Sequence, residues 1–469
     1  MRMGGIRMSK LTINDLIKKA EEADKAVEEA HKTGNYIKAK NTYQELYDLF
    51  KCELGEKHPT TLKVLNYLAN SYYDLGDYNK ACELQNAVYN ASKKILGENH
   101  PDTLSALHNL AITYSSLGDY NKALEMQNAV YNARKEILGE KHSDTLTSLN
   151  NLANSYSDLG DYNKALEMKN AVYNFRKEIL GEKHPDTLSA LHNLANSYSY
   201  LGDYNKACKL QNAVYNARKE ILGEKHPDTL TSLNNLAITY SSLGDYNKAL
   251  EMKNAVYNAY KEILGENHPD TLTSLNNLAI TYSSLGDYNK ALEMKNAVYN
   301  ARKEILGEKH PDTLASLNNL ASSYSYLGDY NKACELQNAA YNARKEILGE
   351  KHPDTLSALH NLAIFYSDLG DYNKACELQN AVYNARKEIL GEKHPDTLNS
   401  LNNLASSYSY LGDYNKACKL QNAVYNARKE ILGEKHPDTL TSLNNLAIFY
   451  SDLGDYNKAC ELQNAVYNA

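Results

Sequence analysis

The chain has 469 residues, 42% of them hydrophobic and 23% charged, with 39 Tyr, no Trp and a formal net charge of −7. So mild a charge excludes a general affinity for nucleic acid or anionic membrane, which needs a concentrated basic face. No apolar run approaches the ~18 residues of a membrane span. The opening MRMGGIRMSK is followed by no apolar stretch and carries Arg2 after Met1, so it reads as neither a secretory signal nor a myristoylation site. The cytoplasm is the expected location.

In chain order, residues 1–10 are expected to be a flexible N-terminus. Residues 11–54 read as a degenerate first repeat, with a helix over Leu11 to Lys32 and a weak motif at Gly34-Asn35-Tyr36. From residue 55 to 469 one motif, Gly-Asp-Tyr-Asn-Lys-Ala, recurs without insertions. It opens at Gly76, Gly118, Gly160, Gly202, Gly244, Gly286, Gly328, Gly370, Gly412 and Gly454. The last of these ten repeats is expected to be incomplete, since Ala469 stands inside its second helix. A unit reused in this way cannot bury its apolar face alone and must stack on its neighbours, which predicts one elongated all-α solenoid.

The stretch from His268 to Gly307 serves as the type repeat. Pro269 suits a first helical position and Asp270 favours the first turn. Gly286 suits a left-handed helix end, Asp287 an N-cap, and Gly307 is expected to end the second helix as Gly286 ends the first. Leu272, Leu275, Leu278, Ala279, Tyr282 and Leu285 share one arc of the first helix. In the second helix Tyr288, Ala291, Leu292, Met294, Val298, Ala301, Ile305 and Leu306 form the expected apolar stripe. Lys290, Glu293, Lys295, Arg302, Lys303 and Glu304 are expected to face solvent. The small Ala279 and Ala291 predict close approach of the two helices.

The run Leu275-Asn276-Asn277-Leu278-Ala279, with Tyr282, Gly286, Tyr288 and Ala291 in register, resembles a tetratricopeptide (TPR) repeat. The longer period and the Leu306-Gly307 to His310-Pro311 linker are similar to those of kinesin light chains. The resemblance implies paired antiparallel helices wound into a right-handed superhelix, with first helices lining a concave groove. It also implies a non-enzymatic role in binding a peptide or protein. Kinesin light chains carry a long coiled coil before their repeats, whereas the ~30 residues before Gly34 read as the first helix of a degenerate repeat. No GxxxxGK[ST] phosphate loop occurs. The Lys and Arg that clamp chaperone tails in other TPR grooves are replaced by Thr, Ser, Asn and His, with Lys63 the exception.

Comparison of the repeats within the chain locates the candidate site. Variation gathers on the groove face of the first helix. One site there holds Ile112, Ile238, Ile280, Ile364 and Ile448 in some repeats, Asn70, Asn154 and Asn196 in others, and Ser322 and Ser406 in two more. Such an Ile lines an apolar patch of a peptide groove or packs on the adjacent repeat; the residues alone leave both open. Asn109, Asn151, Asn193, Asn235, Asn277, Asn319, Asn361, Asn403 and Asn445 recur beside it. Their carboxamides suit peptide-bond recognition or the bridging of neighbouring helices. His108, His192 and His360 replace a preceding Asn. Tyr73, Tyr200, Tyr326 and Tyr410 are candidate aromatic anchors, and Asp74, Asp158, Asp368 and Asp452 add a few charges to the rim.

Other reactive-looking residues read as structural. Cys82, Cys208, Cys334, Cys376, Cys418 and Cys460 share a slot that holds Leu elsewhere, which marks a packing position. One linker His per repeat cannot converge on a metal ion. No catalytic set, metal site or cofactor is expected. The expected function is a scaffold holding a peptide or protein segment in the groove. The alternative is a sensor or substrate-binding arm of a larger protein, enzymatic or motor-associated. End-to-end self-association through an uncapped C-terminal repeat is a third expectation.

Overall fold

The computed structural model describes residues 12–32 and 35–468. The expected flexible segment 1–10, Gly34 of the weak first motif and Ala469 lie outside them. The described residues form 22 α-helices and no strand. After α1 (Ile13–Lys32) and α2 (Tyr36–Leu54), helices opening at Pro or Ser alternate with helices opening at Tyr, as in α3 (Pro59–Asp74), α4 (Tyr78–Leu96) and α5 (Pro101–Ser116). The type repeat is α13 (Pro269–Ser284) and α14 (Tyr288–Leu306), followed by α15 (Pro311–Tyr326), α16 (Tyr330–Leu348) and α17 (Pro353–Asp368). None of the described helices is long and apolar enough to cross a membrane.

Local chemistry sets the helix ends. His268 Nδ1 accepts the N–H of Asp270 at 3.2 Å, so the linker histidine is the N-cap of α13. At its far end Gly286 takes φ +84°, and Asp287 N–H donates to the Tyr282 carbonyl at 2.9 Å. Asp287 then caps α14 by accepting the Lys290 N–H at 3.1 Å. Gly307 departs from expectation. Its φ of 90° and ψ of 160° place it in the extended mirror region that essentially only Gly occupies, rather than in the left-handed helical region.

Two compact units divide the chain, Met1–Leu117 and Gly118–Ala469. The first contains α1 to α5 and the second the remaining helices. Within each unit every helix packs on the next in sequence, the arrangement that short connections impose on antiparallel neighbours. In the type repeat Leu272, Leu278, Ala279, Ala291 and Val298 are buried.

Four expectations for this repeat are corrected. Leu285 and Ile305 are partly exposed, at 38% and 46%, because both stand in the last turn beside a loop. Lys295 is buried and Arg302 half-buried rather than solvated. The reason is that α14 packs on both α13 and α15, so two of its faces are covered. The seven cysteines are free thiols, five of them buried.

The second unit also packs on itself at long range. A Cβ on Gly118 would lie 2.5 Å from Pro395 Cδ, and one on Gly160 would lie 2.2 Å from His436 Cδ2. Tyr120 lies in the same contact. Burial first, then the charges of Asp158, Asp396 and Asp438, push its phenol up to about 12.

Candidate functional site

The first helices carry every candidate groove residue, and none of those residues is fully buried. The second Asn of each pair forms a ladder from repeat to repeat. In the first unit Asn109 Nδ2 donates to Asn66 Oδ1 at 3.4 Å. In the second unit Asn193 donates to Asn150, Asn277 to Asn234, Asn319 to Asn276, Asn361 to Asn318 and Asn445 to Asn402, at 2.9 to 3.4 Å. Asn235 and Asn403 make no such bond. The position each would meet, one repeat back, is His192 or His360. Those rings turn Nδ1 to Gln211 Oε1 and Gln379 Oε1, both at 3.0 Å. Burial pushes the His360 pKa down.

The other positions are more open. Ile112, Ile238, Ile280, Ile364 and Ile448 are 41–49% exposed, and Asn70 and Asn154 are exposed too. Asn196 is tied inward by donating to His192 Nε2 at 3.2 Å and accepting from Gln211 at 3.1 Å. Asn151 is half-buried, and His108 stands among the half-buried positions of α5. Tyr200, Tyr326 and Tyr410 are exposed and stack on Tyr162, Tyr288 and Tyr372 of the preceding repeat. Tyr73 instead bonds Ser116 at 2.7 Å. Asn70, Asn109 and Ile112 converge in the first unit on a cleft of about 580 Å³, with Tyr43, Tyr67 and Asp74. Burial raises the Asp74 carboxyl, and His31, 3.6 Å away, opposes that rise.

The tetratricopeptide repeat pattern matches residues 60–136, 117–178, 144–212, 186–262, 254–304, 285–346, 312–375, 354–417 and 396–469. The chain belongs to the tetratricopeptide repeat family.

Similar solved TPR structures include a Podosopora anserina kinesin light chain-type protein of nearly identical TPR-like repeats. It is 29% identical over 43% of this chain and 95% of that one, with a TM-score of 0.39. The apo quorum sensor NprR from B. thuringiensis is 16% identical over 75% and 97%, with a TM-score of 0.46. A Rap protein complexed with Competence and Sporulation Factor is 15% identical over 80% and 99%, with a TM-score of 0.43. No curated protein matches the chain at a significant level.

Two columns of the TPR second helix escaped the sequence reading. One holds Gln85, Gln127, Gln211, Gln337, Gln379, Gln421 and Gln463, and Lys169, Lys253 and Lys295 in the other repeats. All but Gln463 of the last repeat are buried. The buried glutamines reach first-helix polar groups, as when Gln421 donates to Asn402 at 2.9 Å and to the Ser442 carbonyl at 3.1 Å. Lys253 and Lys295, 6% and 5% exposed, have no hydrogen bond or ion pair among the described residues. Desolvation pushes both pKa values down. The readable signal was Lys alternating with Gln in one column, since a column that accepts a neutral carboxamide is not a charge-requiring surface.

The other column is an arginine clamp. Arg302 donates to Ser316 Oγ at 2.9 Å, to Thr273 Oγ1 at 3.0 Å and to the Asp312 carbonyl at 3.3 Å. In the first unit Ser92 and Ala106 stand where the Arg and Ser would be. Both line a cleft of about 380 Å³ with Val88, Ile95 and Lys63.

Proposed function

We propose that this TPR array is a non-enzymatic scaffold that holds an extended peptide or protein segment along the first-helix face. The observation that carries this reading is the repeated exposed Ile on an otherwise polar surface. Five Ile side chains at 41–49% exposure would be better buried inside a fold, and a partner's apolar side chains supply that burial. The half-buried Asn and Ser around them provide donors and acceptors suited to a peptide backbone. Within the first unit the cleft at Asn70, Asn109 and Ile112 is a concave stretch of first-helix surface. The stacked Tyr200, Tyr326 and Tyr410 add flat aromatic surface.

The test is a peptide-array screen followed by titration of the best binder. Ile238→Ser with Ile280→Ser should weaken binding at least tenfold while leaving helicity and melting temperature in place. Changing the outer charges Lys303 and Glu304 to Ser should not weaken it. Equal loss from both sets would refute the assignment to this face.

A further inference from the structure

Arg344 on α16 departs from its sister arginines in one specific way: even Arg176, which has Ala190 where most have a serine, still donates to the Asp186 carbonyl at 3.1 Å. Arg134, Arg218, Arg302, Arg386 and Arg428 each donate to a serine hydroxyl 14 residues further on, at 2.7 to 2.9 Å. Arg302 and Arg428 also reach a Thr or Asn 29 residues back. At the corresponding positions Arg344 meets Ala358 and Ala315. Both side-chain acceptors are gone. Among the described residues its guanidinium has no hydrogen bond or ion pair.

That guanidinium is half-buried and borders two clefts. One, of about 260 Å³, is lined by Pro311, Leu314, Ala315 and Ile347; the other, of about 220 Å³, by Asn318, Asn319, Ser357 and Asn361. Asp354 borders both clefts and Asp312 the first. Asp354 is exposed and does not come within the 4.0 Å of an ion pair. Arg stays charged at any physiological pH and has five donors in a flat fork. Removing its acceptors while it stays only partly in water leaves a cost that a carboxylate relieves through two parallel hydrogen bonds.

We propose that Arg344 and its flanking clefts form a carboxylate-binding subsite, with Asn319, Asn361 and Ser357 placed to bond the ligand's adjoining amides. The proposal rests on the groove reading above, because Asn319 and Asn361 belong to the first-helix face. It names a ligand chemistry for one segment of that face, a peptide acid. Both a chain terminus and an acidic side chain carry that group.

The probes are N-acetylalanine for a terminal carboxylate, the α-methylamide of N-acetylglutamate for a side-chain carboxylate, and N-acetylalanine amide as the neutral control. The full chain is titrated while the Arg344 Nε–H resonance and the binding isotherm are followed. At least one acid should bind and shift that resonance, the acid that does so naming the source, and the neutral amide should not. Ala315→Thr with Ala358→Ser restores the acceptors of the sister repeats. It should weaken acid binding at least tenfold without lowering the melting temperature, and Arg344→Gln should abolish it. Failure of both acids to bind, equal binding of the neutral amide, or undiminished binding by the double variant would each overturn the subsite. None of these outcomes depends on the Ile238 and Ile280 test of the groove.

Discussion

Arg302 Nη1 donates to Ser316 Oγ at 2.9 Å, joining the second helix of one repeat to the first helix of the next. A charge expected in solvent is thus an inter-repeat tie. Arg302→Ala should cost about 1–3 kcal/mol, the range for removing a hydrogen bond to a charged group and leaving its acceptors unmatched. Urea unfolding with an unchanged m-value would report it. A loss below a few tenths of a kcal/mol would mean that the tie adds nothing.

The first unit offers the converse experiment. Ser92→Arg with Ala106→Ser and Lys63→Thr rebuilds the tie between α4 and α5 and fills the cleft of about 380 Å³. A gain of about 1–2 kcal/mol is expected. Leaving Lys63 in place should reduce the gain, because its ammonium would stand against the new guanidinium. Thermal melts of the two variants check the order.

Lys295→Gln should stabilise the protein by roughly 1 kcal/mol, since Gln in the same column finds hydrogen-bond partners and Lys295 has none. The pH dependence has a definite sign. Desolvation holds the folded-state pKa of Lys295 below the ordinary 10.5. Between the two values the unfolded chain binds more protons, so this residue makes stability rise with pH and gives no further gain above 10.5. Stability of the wild type minus that of Lys295→Gln, followed from pH 7 upward, should therefore become less negative. A flat difference would show that the ammonium is not desolvated.

Gly160→Ala and Gly244→Ala separate backbone strain from long-range contact. Both sites have positive φ, at 78° and 81°, and an added Cβ would meet nothing at Gly244 but His436 at Gly160. Strain should cost about 1–2 kcal/mol at either site. Gly160→Ala should cost at least about 1 kcal/mol more, by the measure of overpacked contacts. Equal losses would mean that the second unit opens freely between residues 160 and 436.

Ala291→Leu tests the close approach of paired helices. Ala291 is fully buried, and the larger side chain should cost about 1–3 kcal/mol by overpacking. Differential scanning calorimetry would show the lower midpoint.

Much of this fold was legible in residues that act over one turn. His268 and Pro269 start a helix, Gly286 and Asp287 close it and open the next, and the strict repetition of these signals implies stacking, because each pair leaves an apolar face uncovered. The candidate face was legible too, since Ile280 varies to Asn and Ser across copies while Ala279 does not vary. What lay beyond local reading is settled by partners 14 to 43 residues away. Asn277 gives part of its carboxamide to Asn234, 43 residues back, and Arg302 is drawn from solvent by Ser316, 14 residues on. A helical wheel assigns one wet face, but α14 is covered on two sides, so Lys295 is buried although nothing in its own helix requires it. The same long-range pairing sets Arg344 apart: its local sequence matches that of Arg302, and the two alanines that strip it of acceptors stand on neighbouring helices.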